Sequence, residues 1–107
     1  RILVTHVFSL GATREQMRRM AEEDAIMEID WLAVHGGNRT IEDYVTAIRD
    51  LGAEAFFMSS DLGQEGNPVH ADGLRTYIRA MLDAGITEEE IDIMARRNPA
   101  RLLGLDP

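Results

Sequence analysis

Apolar residues along the chain follow two alternating rhythms. Short strand-like runs cover residues 2–7, 26–34 and 55–59, the first of them apolar and partly β-branched like the middle of a buried strand. After each run, apolar positions recur at spacings of three and four, the period of a helix that buries one face. Met17, Met20 and Ala21 follow the first run, behind Thr13-Arg14-Glu15-Gln16. That is a capping box, in which each end residue's side chain satisfies the other's backbone N–H. Ile41, Tyr44, Val45, Ile48 and Leu51 follow the second, with Thr40 as N-cap and Gly52 as stop. The third leads into a turn-rich stretch, residues 61–72, holding Gly63, Gly66 and Asn67-Pro68. Asp72 then caps a predicted helix with Leu74, Tyr77, Ile78, Met81 and Leu82 on one face, ended by Gly85. Thr87-Glu88-Glu89-Glu90 opens a further helix carrying Ile91, Met94 and Ala95. Asn98-Pro99 is predicted to close it before a last short turn over 100–103.

Strand and helix alternating with a period of about 25–30 residues predict parallel strands joined by right-handed helical crossovers. An open doubly wound sheet and part of a (β/α)8 barrel both satisfy that order. A complete barrel takes about 250 residues, so 107 residues with three units correspond to three of its eight. Side-chain alternation over 26–34 separates the two. Met27, Ile29, Trp31 and Ala33 form one face, while Glu28 and Asp30 share the other with Ile26 and Leu32. A sheet covered by helices on both sides needs two apolar faces, whereas a barrel interior accommodates carboxylates near its upper rim. The barrel is the expected architecture. Arg1-Ile2-Leu3-Val4-Thr5-His6 begins directly as a strand-like run, which is read as a barrel whose N-terminal part is missing.

Composition narrows the function. All 11 basic residues are Arg, against 19 Asp and Glu, for a net charge of −8. That balance argues against nucleic-acid binding and against an anionic membrane surface, both of which need clustered cations. No apolar run approaches the ~20 residues of a membrane span. With no Cys there is no disulfide, thiolate metal site or cysteine nucleophile, and with no Lys there is no Schiff base. A soluble, cytoplasmic protein is expected.

Parallel α/β proteins build their sites where strands end and loops enter helices. Those positions hold His6, then His35-Gly36-Gly37-Asn38-Arg39, then Ser59-Ser60-Asp61-Leu62-Gly63-Gln64. By strand alternation His6 shares a face with Ile2 and Val4, and Asp61 with Ala55, Phe57 and Ser59. One imidazole and one carboxylate at the same end of a barrel suit a divalent metal that activates water. Each residue also has an ordinary reading. His6 can be a hydrogen-bonded structural histidine, and Asp61 can cap a turn. Glu28 and Asp30 can be solvated or paired with Arg, while His35 and His70 can be plain loop residues. Methionines on helix faces read as core filling, and Glu88-Glu89-Glu90 as a favourable first helical turn. Gly36-Gly37 alone does not make a phosphate-binding loop.

In order, His6-Val7-Phe8-Ser9, then Ser60-Asp61, then Asn98-Pro99-Ala100-Arg101-Leu102-Leu103-Gly104-Leu105 resembles the C-terminal part of the amidohydrolase superfamily. The similarity is to its TatD-type and phosphotriesterase-like branches, and it spans the whole chain as strands six to eight of a (β/α)8 TIM barrel. Residues 1–107 would then be the C-terminal portion of a single barrel domain. The resemblance implies a metal-dependent hydrolase, with metal-activated water attacking a C–N, C–O or P–O bond. It makes His6 a metal ligand or near neighbour, and Asp61 both ligand and general base. It places His35, Arg39, Gln64 and His70 on loops that touch a small-molecule substrate. Zinc is the implied metal, with manganese, nickel or iron as alternatives. The family's His-x-His pair of strand one, its Lys or Glu of strand four and its His of strand five have no counterpart here. Two protein ligands hold a catalytic metal poorly, so the isolated chain is expected to be inactive until the missing N-terminal segment or a partner chain completes the barrel. A superfamily lyase such as a decarboxylase, and a non-catalytic α/β module or degenerate barrel fragment, are the competing expectations.

Overall fold

The computed structural model describes residues 2–61 and 70–105 and is an α/β domain around a three-stranded parallel sheet. The strands are β1 (Leu3–Val4), β2 (Ile26–Asp30) and β3 (Phe56–Ser59), hydrogen-bonded in the order β1-β2-β3. Between and after them run α1 (Arg14–Glu22), α2 (Trp31–His35), α3 (Ile41–Leu51), α4 (His70–Asp83), α5 (Glu88–Asp92) and α6 (Asn98–Leu102). No helix of the described residues is long and apolar enough to cross a membrane.

The helix starts follow from the caps. Thr13 with Gln16, Thr40 with Asp43 and Thr87 with Glu90 all form reciprocal capping boxes, satisfying N–H groups that the first helical turn leaves orphaned. At the end of α3, Gly52 takes φ 90°, a backbone conformation open to glycine.

Register divides the sheet into unlike faces. Val4, Met27, Ile29, Phe56 and Met58 align on one side and pack against Tyr44, Ile48, Tyr77, Met81 and Met94 from the helices. Leu3, Ile26, Glu28, Asp30, Phe57 and Ser59 align on the other side. None of the three apolar residues among them belongs to that core. On that side Ile26, Glu28 and Asp30 are buried, whereas Leu3 is 47 % exposed and its neighbour Ile2 65 %, so the β1 edge is partly open.

The first strand is two residues long instead of covering 2–7, because His6 turns into the left-handed region at φ 50°. The second ends at Asp30, not 34: Asp30 Oδ2 accepts from the Ala33 N–H at 3.1 Å and starts α2. The apolar residues from Trp31 to Val34 are therefore helical. Residues 53–55 form a 3-10 turn, so the third strand starts at Phe56. Asp72 lies inside the first turn of α4, 3.8 Å from Arg75, and is not its cap.

Asn98-Pro99 does not close the final helix. The backbone stays helical from α5 through a π-helical turn, Ile93–Arg97, into α6. A wide turn there suits a proline, which lacks an N–H and crowds the carbonyl four residues back. Asn98 is fully buried, and its amide donates to Phe56 O at 2.7 Å, Glu54 O at 3.0 Å and Ala53 O at 3.4 Å.

Arg49 joins α3 to α5, donating to both Glu90 oxygens at 3.1 and 2.9 Å and to Gly85 O at 2.6 Å. The Thr87 amide, and then the Arg49 guanidinium, hold the Glu90 carboxyl below its ordinary value of 4.5 against a smaller opposing effect of burial. A depressed carboxylate contributes stability above its unfolded value and loses it as pH falls through the folded one. Glu90→Gln keeps the capping box and removes the charge, so it should be less stable than wild type at neutral pH by up to about 1 kcal/mol. That gap should close as pH falls below 4.5. Denaturant unfolding of both proteins across pH checks this; a gap that persists in acid contradicts it.

Candidate metal centre

The three parallel strands deliver their C-terminal ends to one rim, and one chemically capable residue stands at each end. His6 follows β1 by two residues, Asp30 ends β2, and Asp61 follows β3 by two residues. His6 and Asp61 both adopt left-handed backbone, at φ 50° and 52°. That region is uncommon for residues with a Cβ but is entered more readily by His and Asp, and Asp24 after α1 enters it as well, at φ 62°. His6 Nδ1 lies 3.7 Å from Asp30 Oδ1 and 3.6 Å from Asp61 Oδ2. The three residues can each offer one ligand atom with all three atoms within 4.8 Å of one another.

The surroundings fix these positions. Tyr44 Oη donates to Asp30 O at 2.7 Å and Tyr77 Oη to Ile29 O at 2.8 Å, pinning the end of β2 from beneath. Burial pushes both phenols above the ordinary tyrosine range, so each remains an O–H donor. Tyr77 also packs on Trp31, ring centroids 5.3 Å apart, and Tyr44 on Phe8 at 5.1 Å. Ser60 O accepts from the Leu32 N–H at 3.1 Å, joining the start of α2 to the segment that carries Asp61.

Glu28, buried one position below the rim, accepts from Thr5 Oγ1 at 2.6 Å, His6 N–H at 2.9 Å and Ser59 Oγ at 2.7 Å. Burial alone would raise its pKa, but the hydrogen bonds from Thr5, Ser59 and the His6 amide, with the His6 ring nearby, outweigh it and lower the value. Glu28 is therefore an anion. Asp30 and Asp61 face the imidazole with no Arg paired to either among the described residues, while both oxygens of Glu28 are met by hydrogen-bond donors. Negative potential of that kind, in a partly buried cleft, attracts a cation.

Ligands on a tetrahedral ion with bonds of about 2.0–2.2 Å lie roughly 3.3–3.6 Å apart. The separations from His6 Nδ1 to the two aspartates fall close to that range. One nitrogen and two carboxylate oxygens are a donor set that zinc, manganese and iron accept. The cleft above them holds about 190 Å³ and is lined by Ser9, Leu32, Ala33 and Asn38 besides the three candidate ligands.

His6 and Asp61, singled out in the sequence, are thus brought together. Asp30 was not counted as a ligand there, because a strand drawn to residue 34 puts it in mid-strand. The available signal is an Asp immediately ahead of an apolar run, Trp31 to Val34, that also fits a helix, as an N-cap does. Glu28 was read as solvated or Arg-paired and is neither. His35 is exposed at the end of α2, outside the residues lining the cleft. Arg39 donates to Phe8 O at 3.0 Å and stands 5.8 Å from the Phe8 ring, clasping the α2–α3 loop to the segment after β1. His70, the exposed first residue of α4, hydrogen-bonds through Nδ1 to Ser60 Oγ. Gln64 lies outside the described residues. Comparisons with family models, curated proteins and solved structures gave no significant match to this chain.

Proposed function

We propose that the chain carries the metal-binding rim of a metal-dependent hydrolase and is the C-terminal portion of a (β/α)8 barrel of the amidohydrolase type. The observation that carries this reading is the convergence of His6, Asp30 and Asp61 from three parallel strand ends, within 4.8 Å, beside a cleft. The barrel is supported by the sheet itself. Its second face holds Glu28 and Asp30 with Leu3 and Phe57 outside the helix-packed core, as a barrel interior would. The apolar β1 edge is where a further strand would pair.

A divalent ion held by His6, Asp30 and Asp61 would lower the pKa of bound water towards about 7 and polarise the bond under attack. The protein supplies the remaining parts. The Asp30 side chain is 7 % exposed and has Oδ2 committed to the Ala33 amide, so it is the fixed ligand. Asp61, at 30 %, faces the open side and is the carboxylate placed to take a proton from the attacking water. Ser9 and Asn38 offer the cleft hydroxyl and amide groups for orienting a small C–N, C–O or P–O substrate.

Hydrolysis of a panel of amide, ester and phosphoester substrates by the full-length protein tests this reading. Activity should disappear on chelation and return with added zinc or manganese. Hydrolysis unaffected by chelation contradicts it. A non-catalytic module is the second reading, favoured by one observation: Asp30 is fully accounted for as the cap of α2. That reading predicts no zinc binding.

A further inference from the structure

Glu28 is a buried carboxylate that takes no part in the chemistry above, yet it gathers contacts from all three strands. Its Oε1 accepts from Thr5 Oγ1 at 2.6 Å and from the His6 N–H at 2.9 Å, and lies 3.3 Å from His6 Nδ1. Its Oε2 accepts from Ser59 Oγ at 2.7 Å. One side chain on β2 therefore ties the exit of β1 to the end of β3. Both oxygens are engaged by hydroxyl and amide donors, which leaves Glu28 an acceptor for neighbours instead of a free ligand.

His6 needs such a neighbour. Its left-handed backbone, φ 50°, takes it out of strand alternation, and the side-chain contact at this turn is the His6 N–H on Glu28 Oε1, beside the backbone bonds Leu10 N–H to His6 O and Val7 N–H to Glu28 O. The same oxygen is the nearest carboxylate atom to the ring, 3.3 Å against 3.6 and 3.7 Å for the aspartates. We propose that Glu28 is a positioning residue, accepting from the His6 N–H and so fixing the backbone turn that presents the imidazole to Asp30 and Asp61. The proposal rests on the reading of His6 as a metal ligand. Outer carboxylates that orient a ligating histidine recur around metal sites, and losing one costs about 10–100-fold in metal affinity.

Positioning of this kind resides in the acceptor atoms and their reach. Glutamine keeps the reach and an oxygen for Thr5 and His6, and the Ser59 hydroxyl can turn to accept from its amide. Alanine removes the acceptor, and aspartate keeps the charge but is one methylene shorter.

The test is a cobalt titration of wild type, Glu28→Gln, Glu28→Asp and Glu28→Ala, read by visible absorption, with hydrogen exchange at the His6 amide in the metal-free proteins. Glu28→Gln should bind cobalt within about threefold of wild type, and Glu28→Asp and Glu28→Ala about 10–100-fold more weakly. The His6 amide should exchange slowly in wild type and Glu28→Gln and fast in the other two. Equal losses for Glu28→Gln and Glu28→Ala would make Glu28 a ligand or a charge and overturn the proposal, as would a Glu28→Ala protein that binds like wild type. If Glu28→Ala does not fold, Glu28→Asp supplies the comparison. If wild type takes up no cobalt, the hydrolase reading fails on its own. The exchange data then decide the positioning: slow in wild type and fast in Glu28→Asp upholds it, fast in wild type overturns it.

Discussion

Asp61→Asn should lower zinc affinity by roughly 100-fold or more, because it removes a ligand and not merely a group that orients one. The backbone should tolerate the change. Asp61 sits at φ 52°, and asparagine occupies that left-handed region at least as readily as aspartate. The side chain stays isosteric and about a third exposed, so the thermal midpoint should move by no more than about 3 °C. The carboxamide is a neutral, weaker donor to a cation and cannot accept the proton of an attacking water, so on the proposed reading kcat for hydrolysis should fall by about 10²–10⁴. Zinc competition against a chelator, with a thermal melt of the same sample, reads the first two effects. Zinc affinity within twofold of wild type at an unchanged melting temperature would remove Asp61 from the site.

The second large effect lies at the other end of β3, where that strand begins. Asn98→Ala should destabilise the domain by about 2–3 kcal/mol, a shift of roughly 10–20 °C in Tm. Asn98 is fully buried, and its amide is shared among the carbonyls of Ala53, Glu54 and Phe56. Truncation leaves acceptors in a dry interior without a donor, which costs their full desolvation, and adds a small cavity. Asn98→Asp should be worse still, since it aims carboxyl oxygens at the same carbonyls. Thermal unfolding of the three proteins checks the order wild type, alanine, aspartate. A loss below about 0.5 kcal/mol for Asn98→Ala would mean that water replaces the amide, which full burial argues against.

The sequence makes some of this architecture legible and hides the rest for identifiable reasons. Alternating periods of two and about 3.6 expose the order of strands and helices, and Thr13, Thr40 and Thr87 mark three helix starts by local chemistry alone. Strand ends are harder. Residues 26–34 form one apolar stretch, and only the Asp30 carboxylate on the Ala33 amide divides it into β2 and α2. Missing that division costs the third candidate ligand. His6 is hidden for a different reason: strand alternation assigns it a face, but the backbone enters a left-handed turn there, with its N–H on Glu28, 22 residues away. Long-range hydrogen bonds of this sort leave no periodic trace. Asn98-Pro99 reads locally as a stop, yet the π-helical turn before it lets the helix continue and turns the asparagine inward against the approach to β3.

The central claim is a divalent ion shared by His6, Asp30 and Asp61. Anomalous diffraction at the zinc edge, on crystals of the zinc-loaded full-length protein, measures it directly. The predicted result is a peak about 2.0–2.3 Å from donor atoms of all three side chains. The contradicting result is no peak there, with Asp30 engaged only with the Ala33 amide and His6 resting on Glu28.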